Sequence, residues 1–260
     1  MSALLRKAAA MIRRDFTIES SYKMSFFLDI LYSLMPVFTF YFLGKLIGKN
    51  YFPSTVIGIA LAGYFQAALR SFGASIRDAQ MAGSFEVLLS TRTNMRTIIL
   101  LSPLYNFLFK LIHIVIIISF SGIFLHVDYS HANILSALCM LFVSILAFSS
   151  VGILSAACVV IFKRGNPLEM AFGLFITLVS GAYFPVDVLP ASMKWIAVIN
   201  PVKYAIDGAR LALLEGYSIP MLLKEIAILC SMVAVLLPLG LFLFSQAIKK
   251  VKYDGTLVVY

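Results

Sequence analysis

The chain is dominated by apolar runs longer than the core of a soluble domain can use. Six of them, at roughly 26–47, 54–72, 98–124, 134–162, 168–184 and 222–247, approach or exceed the length of a membrane span. A helix rising 1.5 Å per residue needs about 20 apolar residues to cross a ~30 Å hydrocarbon layer. Nothing in that layer pairs with an open backbone group, so only helices or a closed barrel can cross it, and runs of this length select helices. Hydrophobic residues make up 61% of the chain and charged residues 13%, where a soluble domain carries about 25% charged. The expectation is an all-α membrane protein, one transmembrane domain over 1–260 with six transmembrane helices, and almost no sequence left for a soluble catalytic domain.

The net charge of +9 invites a nucleic-acid reading, but its distribution follows topology instead. Arg6, Lys7, Arg13, Arg14 and Lys23 precede the first span, and Arg70, Arg77, Arg92 and Arg96 follow the second. Lys163 and Arg164 follow the fourth, and Lys249, Lys250 and Lys252 follow the last. These 14 of the 21 basic residues fall on one side, Lys45, Lys49, Lys194, Lys203, Arg210 and Lys224 fall on the other, Lys110 lies within a span, and the opposite loop HVDYSHAN (126–133) has no Lys or Arg. The positive-inside rule then places both termini in the cytoplasm. Cys139, Cys158 and Cys230 lie within apolar runs and read as small apolar residues, not as a disulfide framework.

Residues 1–25 contain an amphipathic helix. Leu5, Ala8, Ala9, Ile12 and Phe16 share one face, and Arg6, Lys7, Arg13, Arg14 and Thr17 another. Such a helix either lies in the headgroup layer against anionic lipid or serves as a solvated basic lead-in.

Two connections exceed simple turns: 73–97 on the cytoplasmic side and 185–221 outside. Long loops of this kind tend to be functional. In the first, Gly83-Ser84 breaks one helical piece and can cap the next, with Glu86 in its first turn. Phe85, Leu88 and Leu89 then form an apolar edge, which packs either on the protein's own spans or on another subunit. In the second, Pro185, Pro190 and Pro201 cut an apolar segment into pieces too short to span. Helices are expected at about 191–199 and 202–215. The segment either re-enters the outer leaflet or rests on the bilayer as an interfacial loop.

The third span carries a polar stripe of Ser102, Asn106, Lys110 and His113. With the span beginning near residue 98, Lys110 is expected roughly 18 Å deep. A lysine there must face protein or water. It lines a polar pathway or bonds to carbonyls or hydroxyls of a neighbouring span. No acid is expected near mid-membrane, because Asp29 and Glu169 fall near cytoplasmic ends, and this weakens an ion-coupled carrier. H-E-x-x-H and G-x-S-x-G are absent. His113, His126 and His131 lack metal-ligand spacing. GKLIGKN (44–50) departs from a phosphate loop and emerges outside. No catalytic residue, metal site or cofactor is expected in this chain.

The stretch SGAYFPVDVLPASMKWIAVINPVKYAIDGARLALLEG (180–216) resembles the signature region of type-2 ATP-binding-cassette (ABC) exporter permeases. The family's apolar-Pro pair, second Pro, Asn-Pro and helical Arg fall on Phe184-Pro185, Pro190, Asn200-Pro201 and Arg210. GSFEVLLSTR is similar to the family's coupling segment at Gly83, Glu86, Leu88, Leu89 and Thr91, with Arg92 where Pro is common. FKRGNP (162–167) resembles the loop before the fifth span. The resemblance implies a plasma-membrane protein (inner membrane in a Gram-negative cell) with an amphipathic N-terminal helix and re-entrant extracellular helices. It implies a second permease copy and two cytosolic ABC ATPase subunits that bind ATP and Mg. On that reading Arg77, Asp78, Gly83, Phe85, Glu86, Leu88 and Leu89 couple to the ATPase. Asn106, Lys110 and His113 line the substrate pathway, and Phe184, Pro185, Pro190, Asn200, Pro201 and Arg210 form an extracellular gate. An ion-coupled secondary transporter using Lys110 and His113 is the alternative.

Overall fold

Each apolar run that the computed structural model describes in full is a helix. The described residues are 3–20, 23–48, 51–81, 103–162 and 173–253, with Thr97 and Leu101 between them. Helix α1 covers Ala3–Ser20, α2 Lys23–Ile47, α3 Tyr51–Met81, α4 Leu104–Leu125 and α5 Ile134–Phe162. After them come α6 (Gly173–Val179), a 3₁₀ turn at Val186–Val188, α7 (Ala191–Ile199), α8 (Pro201–Leu214) and α9 (Leu223–Tyr253), preceded by a second 3₁₀ turn at Ile219–Leu222. Among the described residues five helices are long and apolar enough to cross a membrane.

The expected fifth span is the exception. Its first part lies outside the described residues, and helix α6 stops at Val179 instead of reaching 184. The reason is local. Gly181 takes φ +83°, a left-handed conformation that a helix cannot run through, and Pro185 follows. The second span, Tyr51–Ala74, falls close to its expected place, but the helix that carries it runs on beyond the membrane stretch. Residues 73–81, assigned from sequence to the connection, continue α3 to Met81 and carry Arg77 and Asp78 with them. Gly83, Phe85, Glu86, Leu88 and Leu89 lie outside the described residues.

Helix α3 is the inner member of the bundle. Of its apolar stretch 72% is buried, against 11% in α2 and in α9, whose outer faces stay exposed and apolar. An aromatic seam fixes α3 against α4 and α5. Tyr64 and Phe72 each lie 5.7 Å from Phe107, and Phe65 lies 5.2 Å from Phe148, centroid to centroid. Edge-on and tilted ring pairs at such distances contribute about 0.5–1.5 kcal/mol each beyond burial. Serines inside α5 bond back to their own helix, Ser144 to the Met140 carbonyl and Ser150 to that of Leu146. Their hydroxyls therefore cost the apolar interior little. Helix α1 touches α2 and α4; Ala8, Met11 and Ile12 are half-buried while Arg6, Lys7, Arg13 and Arg14 are exposed. Phe16, grouped with the apolar face, is 60% exposed.

At the distal end, α3 and the turn after α6 make backbone contact. A Cβ on Gly58 would overlap the Ala182 carbonyl oxygen and sit 2.8 Å from its Cα. We expect Gly58→Ala to lower stability by about 1–3 kcal/mol, because backbone on both sides must move. Gly63, one and a half turns along the same helix, has open space around it, so Gly63→Ala should not destabilise. Thermal unfolding of the two detergent-purified variants checks this; equal midpoints would contradict the contact.

Candidate functional site

Two polar constellations interrupt the apolar packing. The first joins α2 to α4. Lys110 donates from Nζ to Asp29 Oδ2 at 2.7 Å, and His113 Nε2 lies 3.1 Å from the same oxygen. His113 is 4% exposed, Lys110 27% and Asp29 41%. His113 Nδ1 is 3.0 Å from the Phe109 carbonyl; a carbonyl only accepts, so Nδ1 carries a hydrogen. Nε2 then faces the Asp29 carboxylate within charge-contact distance but without hydrogen-bond geometry, and no other described group bonds it.

This arrangement corrects the sequence reading. Lys110 lies six residues after Leu104, the first residue of α4, about 9 Å along the axis of that helix. Asp29 lies six residues into α2, at the matching level. A carboxylate does therefore meet the polar stripe, and Lys110 bonds to a side chain instead of carbonyls or hydroxyls. Asn106, the third residue assigned to the pathway, is exposed and does not join the cluster. The signal was available: a lysine inside an apolar run needs a counter-charge, and Asp29 is the acid of the first span.

The second constellation secures the break between α6 and α8. Asn200 performs two tasks. Its Oδ1 accepts from the Val202 backbone N–H at 3.0 Å, capping α8, while Nδ2 donates to the Ile176 carbonyl at 2.8 Å. Pro201 at the first helical position has no N–H to leave unpaired. The Asn-Pro pair thus starts one helix and ties it to another. Arg210, 18% exposed, donates from Nε to the Ser54 carbonyl at 2.9 Å and from Nη2 to the Gly181 carbonyl at 2.8 Å. Burial presses its pKa below the ordinary arginine value, and Asp207, 3.9 Å from Nη1, pushes it back up. Asp207 also receives Lys203 at 3.3 Å.

Tyr51 completes the set, its hydroxyl donating to the Tyr183 carbonyl at 2.6 Å. Phe184 packs beside Val179, Leu189 and Ala197. Pro185 precedes the 3₁₀ turn, and Pro190 precedes α7. All six residues assigned to the distal gate therefore lie in this one region, held to α3 through Arg210 and Tyr51. Sequence reasoning missed Tyr51 and the carbonyls of Ser54 and Gly181, since a main-chain acceptor has no residue-type signature.

The order of these parts matches a known family model, that of the ABC-2 type transporter, over residues 4–214. The chain belongs to the ABC-2 type transporter family. No curated protein matches it. The match begins in α1, includes the connection between α3 and α4 and ends with α8. An ABC-2 domain is the transmembrane part of an ABC transporter, lacks a nucleotide-binding domain of its own and associates with ABC ATPase partners. This chain is accordingly a multi-pass ABC permease.

The Asp29–Lys110 contact yields a test. Asp29→Asn should cost the permease about 1–3 kcal/mol, the range for losing a hydrogen bond to a charged group or stranding its partner. Adding Lys110→Met should restore most of it. Thermal midpoints of the two singles and the double form the cycle; an unchanged midpoint for Asp29→Asn would remove the pair from the account.

Proposed function

We propose that this permease forms the substrate passage of an ATP-driven exporter, working as a homodimer with two separate cytosolic ATPase subunits. The observation that carries this reading is the family match running unbroken from α1 through α8. Both termini are cytoplasmic in this proposal, in the plasma membrane or a Gram-negative inner membrane, as the distribution of Lys and Arg supports. ATP and Mg bind to the ATPase partner. The 73–97 segment receives the ATPase stroke, with Arg77 and Asp78 on the last turns of α3 and Gly83, Phe85, Glu86, Leu88 and Leu89 beyond it. Because α3 is one helix from Tyr51 to Met81, a push at its inner end reaches the distal break at Ser54 and Gly58 without a flexible joint.

The distal helices α7 and α8 re-enter the outer leaflet and close the passage between cycles. Support comes from the end of α6 at Val179, the apolar exposure of Trp195 and Ile199 on α7, and the burial of Val202, Ala205 and Ile206 on α8. Asn106, Lys110 and His113 face the passage, with Asp29 balancing the lysine.

The test uses the assembled transporter. Glu86→Lys combined with Leu88→Asp should abolish ATPase co-purification and ATP-driven transport in inside-out vesicles while leaving the permease folded. Normal assembly and transport in that variant would overturn the coupling assignment, and transport driven by an ion gradient without ATPase would overturn the function.

A further inference from the structure

Arg210 has more hydrogen-bond capacity than its strap uses. A guanidinium carries five N–H groups in a planar fork. Nε and Nη2 each reach one carbonyl. Among the described residues Nη1 has only Asp207 at 3.9 Å, beyond hydrogen-bond distance, and Asp207 is shared with Lys203 at 3.3 Å. Two cations therefore face one carboxylate, leaving an excess positive charge.

This charge borders a cavity of about 530 Å³, open at one side, where α2 ends and α3 begins. Its polar lining is Tyr51, Ser54, Thr55 and Arg210, and Ile47 and Phe184 are among its apolar walls. Two of the hydroxyls are already committed, Tyr51 to the Tyr183 carbonyl and Thr55 to that of Tyr51. They offer a ligand lone pairs only. The Ser54 hydroxyl has no partner among the described residues. An incoming group thus meets N–H and O–H donors at Arg210 and Ser54, and no carboxylate lines the cavity among the described residues. That is a setting for an oxyanion, which a guanidinium holds well.

Depth and size narrow the class. The apolar spans of α2 and α3 end and begin at Ile47 and Tyr51, so the cavity sits where hydrocarbon gives way to headgroups. Its volume falls in the range of small-molecule sites, about 300–1,000 Å³, more than a bare phosphate fills. We propose that this cavity binds the phosphate headgroup of an anionic lipid, with the phosphate on Arg210 and Ser54 and the first apolar carbons along Ile47 and Phe184. Headgroup binding there would bridge α3, the turn after α6 and α8, the three elements that Arg210 already joins.

The experiment is binding to the purified permease in neutral detergent, read by native mass spectrometry. No ATPase takes part, so its outcome is separate from that of the exporter reading. The probes are dioctanoyl phosphatidylglycerol, dioctanoylglycerol and inorganic phosphate. We expect phosphatidylglycerol to be retained and dioctanoylglycerol to be lost. Arg210→Gln removes two structural bonds and can unfold the region, so the deciding variant is Ser54→Asp. It keeps the Ser54 main-chain carbonyl that Arg210 needs and places a carboxylate in the cavity. Its thermal midpoint should hold while phosphatidylglycerol affinity drops at least about tenfold, the loss of one charge-assisted bond. Equal retention of dioctanoylglycerol, or unchanged affinity in a folded Ser54→Asp, would overturn the proposal. Inorganic phosphate competing on equal terms would also overturn it, by assigning the site to a soluble anion.

Discussion

A broken helix inside a membrane protein leaves main-chain carbonyls that neither lipid nor the helix can satisfy, and the distal half of this structure is organised around that demand. Between Ile176 and Tyr183 the backbone leaves helical geometry, and three side chains come back to serve it. Asn200 bonds the Ile176 carbonyl, Arg210 that of Gly181, and Tyr51 that of Tyr183. Arg210 also serves Ser54 on α3. Each carbonyl left unpaired when buried would cost about 1–3 kcal/mol. The same bonds that discharge this cost therefore fasten α8 to α3, and irregular backbone is tolerated because protein surrounds it.

From that fastening follows a mechanical picture. Helix α3 runs as one rod from the distal break to Met81, is the most buried of the candidate spans, and carries the aromatic seam toward Phe107 and Phe148. Movement at one end of such a rod cannot be absorbed locally in a close-packed interior. Helix α2 is joined near its start to α4 by Asp29 with Lys110 and His113, and its far end borders the cavity beside Arg210. These two polar clusters thus sit near the two ends of the bundle, and between them Gln66 of α3 donates to the Thr177 hydroxyl of α6 at 3.0 Å within otherwise apolar packing.

Much of this was legible before any coordinates. The helices at 191–199 and 202–215 were expected from Pro190 and Pro201, and they form at Ala191–Ile199 and Pro201–Leu214. Proline acts through backbone dihedrals, which need no tertiary partner. The end of the helix that carries the second span, and the end of the fifth span, were placed less well. Charged residues Arg70, Arg77 and Asp78 made α3 look finished near residue 72, because polarity marks where lipid ends and not where a helix ends. Greasy Ala182 and Phe184 made the fifth span look longer, because apolarity does not record a left-handed φ at Gly181.

The sequence by itself determined a helical membrane protein with basic flanks, two long connections and a recognisable order of Pro, Asn-Pro and Arg, since span length, charge placement and backbone stiffness are properties of neighbouring residues. Which partners the polar residues take was decided only by the tertiary structure. Asp29 meets Lys110 across 81 positions, and Arg210 reaches Ser54 across 156. Chain separations of that size carry no local pattern, and a main-chain carbonyl looks the same on every residue, so only the folded packing could say which one a guanidinium would find.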